Sequence, residues 1–202
     1  MRGLLNQNIA EFISDNPIGF PPVLKYTGQV EKVEWINFDA AVTAKNSTAK
    51  GLHFFDSDYK LNRLWEYPQR YISVLRRFKY VVQPDFSLYY DFPVALQIYN
   101  KFRNHWLSAY FAVNGIQIIP NISLSTPNNF AWSIMGYPEN SVVAFSDIGC
   151  SRDKEDKAVL MESYKEMTDK LRPSQVLYFT RSKTAPEGAT VIHIPYRKDG
   201  KE

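Results

Sequence analysis

Short apolar runs alternate along this chain with longer stretches in which apolar residues recur every three or four positions. The runs are Trp35–Ala41, Leu52–Phe55, Tyr80–Val82, Ile116–Ile119, Val142–Phe145, Val176–Phe179 and Thr190–Ile194. Most are rich in Val, Ile and aromatics and lack a polar alternation, which is the pattern of strands covered on both faces. Between them, Pro93–Asn114 predicts a helix. Ala95, Ile98, Phe102, Trp106, Ala109 and Val113 make its apolar stripe. Pro93 suits the first turn, Asp91 stands where a cap is expected, and Gly115 suits the turn beyond the end. Asp153–Leu171 predicts a second helix, with Leu160, Tyr164, Met167 and Leu171 as its stripe and Pro173 as its stop. Tyr59–Phe78 reads as a helix that Pro68 kinks or splits.

Strand–helix alternation predicts an α/β fold, a mainly parallel sheet with outer helices. Seven strands fit a small or incomplete (β/α) barrel or an open doubly wound sheet. The connection Thr180–Ala189, with Pro186 and Gly188, is too short for a full helix, and the small or incomplete barrel is favoured. Pro17, Pro21 and Pro22 break any regular element near the start. The expected organisation is therefore an arm over residues 1–30, a single α/β domain over 31–196 and a charged tail over 197–202.

Composition adds limits. Of 202 residues, 45% are hydrophobic and 22% charged, which excludes disordered, collagen-like and coiled-coil chains. The net charge of +3 is too weak to argue for nucleic acid. The basic cluster Arg70, Arg76, Arg77 and Lys79 suits a helix end, with a phosphate contact as its functional alternative. Cys150, the single cysteine, has no intrachain partner, which fits a reducing compartment. The first residues do not resemble a signal peptide, and no apolar run approaches the ~20 residues needed to span a bilayer. The expectation is a cytoplasmic protein without a membrane partner.

Candidate chemistry follows from the strand ends, because ligands of parallel sheets bind beyond the carboxyl ends of the strands. The runs are followed there by Asp56, Asp85, Asn121 and Asp147. The segment from Gln83 to Pro93 alternates with period two. Asp85, Ser87, Tyr89 and Asp91 fall on one side and Phe86, Leu88, Tyr90 and Phe92 on the other. Paired carboxylates divide acid and base roles or hold a hard cation such as Mg²⁺. Asp85, Asp91 and Asp147 are accordingly the candidate catalytic residues, and Asp56 with Asp85 the candidate metal ligands. Asn121, Ser87, Tyr89 and Trp132 are the candidate substrate contacts, Trp132 as a stacking ring in the loop Pro127–Pro138. The plainer alternative is that the strand-end polar residues cap helices. Dinucleotide, P-loop and nucleophile-elbow motifs are missing. His53, His105 and His193 are too scattered for a local metal pair, and no activating base accompanies Cys150.

A family resemblance enters on four segments: Tyr80–Tyr89, the helix carrying Gln97, Asn100 and Arg103, the stretch Gly115–Asn121, and Ser141–Ala144. Together they resemble the family called domain of unknown function 4417, over about Leu52 to Thr180. That resemblance implies a phage or mobile-element setting and no particular activity. Three functions stand beside one another: a cation-assisted hydrolase of a phosphate-bearing substrate, a non-catalytic protein that sequesters a nucleotide or a host protein, and a nucleic-acid-binding protein.

Overall fold

The computed structural model describes residue 6 and residues 8–149, 154–186 and 191–195. Cys150, the expected helix start at Asp153, the strand start at Thr190 and the tail at 197–202 lie outside the described residues. Each apolar run supplies a strand: β1 (Glu34–Asn37), β2 (Lys50–His53), β3 (Tyr80–Val82), β4 (Ile118–Ile119), β5 (Val142–Ser146), β6 (Gln175–Thr180) and β7 (Val191–Pro195). All pair in parallel, in the orders β1-β2-β3-β4 and β5-β6-β7. A single parallel bridge, Asn121 to Ala144, joins the two ladders. It consists of Ile122 N–H donating to the Ala144 carbonyl (2.9 Å) and Ala144 N–H donating to the Pro120 carbonyl (2.7 Å). The first strand is shorter than expected. Asn37 accepts a bond from the Ala40 N–H, and residues Phe38–Ala41 turn into a short helix, α1, instead of extending the strand.

Period-two alternation sorts the side chains of each strand between two faces. Trp35, Tyr80, Val82, Ile119, Val142, Ala144, Leu177, Phe179 and Ile194 share one cluster, which Phe55 joins from just beyond β2. In a flat sheet β2 and β6 would lie roughly 19 Å apart, four strand spacings. Yet the rings of Phe55 and Phe179 are 4.7 Å apart, and Trp35 meets Phe179 edge-on at 5.2 Å. The sheet is therefore curled around this cluster as an incomplete barrel; among the described residues no ladder joins β7 to β1. Gly51 makes room for the curl. A Cβ there would stand 2.4 Å from the Trp35 ring.

The outward faces carry the helices. Leu52, Phe54 and Val81 pack beneath α1, α2 (Asp58–Glu66), α3 (Ile72–Leu75) and α4 (Val94–Val113). Pro68 splits the second helical stretch, opening a 3-10 turn between α2 and α3. Val143, Phe145, Val176 and Tyr178 pack against α5 (Phe130–Ser133) and α6 (Lys154–Leu171), whose Tyr164, Met167 and Leu171 are buried as the sequence stripe requires. The segment before β1 crosses the amino ends of the strands: Val23, Phe20 and Val30 are buried there, and Val142 N–H donates to the Tyr26 carbonyl (2.9 Å). The basic cluster closes helix ends. Arg76 bonds the Asn114 carbonyl (2.7 Å) and Arg77 the Ala41 carbonyl (2.7 Å), while Lys79 pairs with Glu31 at 2.5 Å. Those cations are spent within the chain. No described helix is long and apolar enough to cross a membrane.

Candidate functional site

Strands β3 and β4 continue past their ladder in a way that sets two side chains together. Gln83 N–H donates to the Ile119 carbonyl (2.8 Å), and the Gln83 side-chain oxygen accepts from Asn121 N–H (3.0 Å). The next residues, Asp85 and Asn121, then meet above the ladder. Asp85 Oδ1 accepts from Asn121 Nδ2 (2.8 Å) and from Ser123 Oγ (2.6 Å). This carboxyl is pushed up to about 6, chiefly by burial and also by the nearby Asp58, while Ser123, Lys101 and Asn121 pull the other way.

Beyond Asp85 the chain has no strand neighbour, and side chains of α2 and α4 satisfy several of its backbone groups instead. Asn104 accepts from Phe86 N–H (2.7 Å) and donates to the Phe86 carbonyl (3.0 Å), standing in for a neighbouring strand. Asn100 donates to the Ser87 carbonyl (2.7 Å), and Gln97 to the Phe92 carbonyl (2.9 Å). Ser87 donates its N–H (3.1 Å) and hydroxyl (2.9 Å) to Asp58. Gln97, Asn100, Lys101 and Asn104 are spaced i, i+3, i+4 and i+7 and lie on one face of α4, all buried. Sequence reasoning missed this face. Its signal was amides recurring at the period usually held by an apolar stripe. The predicted stripe is only partly the buried face: Trp106 and Ala109 are buried, but Val113 is 69% exposed.

A cleft of about 640 Å³ opens above Asp85. Asp85, Ser87, Tyr89, Asp91 and Asn121 all line it, so five of the expected residues are brought together. Ser123 joins them, as does Asp156 from α6. The expected alternation of burial holds through Leu88, although Leu88 also borders the cleft. It lapses where Phe92 N–H bonds back to the Tyr89 carbonyl (3.0 Å), and Tyr90 and Phe92 line the cleft as well. Asp91 does not cap α4; Pro93 occupies that position, with no side-chain bond.

Three expected residues lie elsewhere. Asp56 is largely buried against Lys60, four residues on, at 3.1 Å, and is not among the residues that line the cleft with Asp85. Asp147 is buried beside β6, where it accepts from Thr180 Oγ1 (2.7 Å). Trp132 packs near Phe20 (ring centroids 6.5 Å apart) rather than over the cleft. Among the described residues no three His, Cys, Asp or Glu side chains come together as a metal centre.

The model of the family described as "Domain of unknown function (DUF4417)" matches residues 13–196. The chain belongs to this family. Two curated relatives of this DUF4417 member are phage proteins, each called "Gene 1 protein". The one from Mycobacterium phage L5 is 34% identical over 136 residues, 67% of this chain and 58% of the relative. The one from Mycobacterium phage D29 is 33% identical over 130 residues, 64% of this chain and 48% of the relative. The chain thus spans about half the length of the curated relatives it matches. No solved structure matches it.

Proposed function

We propose that this DUF4417 member is an enzyme of phage origin in which Asp85 transfers a proton to or from a small polar substrate held in the cleft, in a hydrolytic or related acid–base step. One observation carries this reading: a partly buried carboxyl, held near 6 and fixed by Asn121 and Ser123, faces an open cleft. A carboxyl poised near neutrality is both a competent acid and a competent base. Asn121 and Ser123 orient the carboxyl through Oδ1. The rings of Tyr89 and Phe92, packed edge-on at 5.0 Å, give the cleft an aromatic wall suited to a ring-bearing substrate.

The described lining holds the acidic side chains of Asp85 and Asp91 and no described Lys or Arg. A phosphate-bearing substrate would therefore enter with its own divalent cation, since bare phosphate would meet like charge. A second reading, a pocket that sequesters its ligand unchanged, rests on a different observation. Both side chains bonded to Asp85 are non-titratable, so no second acid or base touches it.

The test is turnover of p-nitrophenyl phosphate with Mg²⁺, p-nitrophenyl glycosides and a nucleoside panel by the wild type and Asp85→Asn. Expected is turnover of one class with a pH midpoint near 6, abolished in the variant. Equal turnover by the two proteins overturns the assignment of Asp85. A retained small molecule, found unaltered by mass spectrometry with every class left intact, supports sequestration instead.

A further inference from the structure

Beneath the floor of the cleft lies a lysine with no exposed atom. Lys101 is fully buried, and among the described residues no carboxylate pairs with it at ion-pair distance. Its Nζ donates to the Ser123 carbonyl (2.7 Å) and to the Tyr137 hydroxyl (2.9 Å), and it lies 4.2 Å from the Tyr137 ring centroid. The Tyr137 hydroxyl in turn donates to the Asn121 carbonyl (2.5 Å). One ammonium thus reaches, directly or through one tyrosine, the backbone of both residues whose side chains bond Asp85.

Burying an amine is expensive, and an apolar residue of similar length would be the cheaper filling for this position. Burial accordingly holds the Lys101 ammonium well below its usual range, with Asp85 opposing that effect. A lysine kept here at such a cost has one evident occupation, the geometry of the 121–123 turn.

We infer that Lys101 is a positioning residue for Asp85, acting through Ser123 directly and through Tyr137 and Asn121. This rests on the reading of Asp85 as the proton-transferring group. The charged and titratable groups around the pair are Asp58 from α2, His105 on α4 itself, and Tyr137 from the loop before β5. Lys101, when protonated, favours the Asp85 carboxylate, and its removal takes that charge away. That removal also frees the turn that carries both hydrogen-bond donors. Each change moves the Asp85 midpoint upward.

The experiment is a ¹³C-carboxyl NMR titration of Asp85 in the full chain, with thermal melting alongside, for wild type, Lys101→Met and Tyr137→Phe. Methionine preserves the length of the side chain, and phenylalanine preserves the ring. Expected is a rise of about one pH unit in Lys101→Met and a smaller rise in Tyr137→Phe. If the lysine variant does not fold, Tyr137→Phe decides alone. Unchanged midpoints with lowered melting temperatures would make Lys101 a structural residue and overturn the inference. A wild-type midpoint near 4 would fail differently, removing the underlying reading of Asp85 itself.

Discussion

Asp85 and Asp147 both follow a parallel strand at its carboxyl end, three and one residues past β3 and β5. Only one of them faces the cleft. Asp147 is turned sideways to Thr180 on the neighbouring strand, where its charge is used to tie β5 to β6. Asp85 takes its bonds from Asn121 and Ser123 through a single oxygen. The difference teaches that a strand end offers only a position. The neighbouring strand decides whether the carboxylate is consumed or left available, according to where it places its donors. Asp56 makes the same point with a local partner, being taken up by Lys60 one helical turn away.

The largest effect expected from this contrast is on rate. Asp85→Asn should lower the turnover of any accepted substrate by roughly 10²–10⁴-fold, whereas Asp147→Asn should leave the rate within a few-fold of wild type. Steady-state kinetics on the two variants would break the comparison if their effects were reversed.

On stability the order inverts. Asp147→Ala strands the Thr180 hydroxyl in a buried site and should cost about 2 kcal/mol, a fall of roughly 4–8 °C in melting temperature. Asp85→Asn should instead stabilise. A carboxyl raised from 3.8 to about 6 on folding costs nothing while it is protonated in both states, and destabilises increasingly as pH rises through that window. The gain of Asp85→Asn over wild type should therefore be near zero below pH 4 and approach about 3 kcal/mol above pH 6.5. Melting curves at pH 4 and pH 7.5 would measure it as a difference. The common background slopes the other way, because buried His53 and His105, both pushed down to about 3, must charge as pH falls below 6.5. The smallest effect belongs to Asp56→Asn. Loss of its pair with Lys60 should cost under about 1 kcal/mol and leave the Asp85 titration unmoved.

Much of this was legible in the sequence. Seven apolar runs became seven parallel strands, because a strand buried on both faces leaves a continuous apolar signature. Asp85 and Asn121 were legible as neighbours because consecutive parallel strands bring their carboxyl ends side by side. The end of β1 was not, since Phe38 and Ala41 are apolar in either conformation and only the Asn37 cap decides between them. The polar face of α4 was hidden for a different reason. Gln97, Asn100 and Asn104 satisfy the backbone of a segment that has no strand partner, and that need exists only once the fold does. The pairing of Asp56 was within reach, in the i, i+4 spacing to Lys60.

The bridge between Asn121 and Ala144 gives the molecule an unusual point of weakness. Among the described residues it is the one β-bridge between the two ladders, and it lies in the same residue that holds the Asp85 carboxyl. The two halves of the curl share the inner cluster that holds Trp35, Phe55 and Phe179, and their backbones meet at the site itself. A partial opening along this seam would release Asp85 from its donor and part that shared cluster as well.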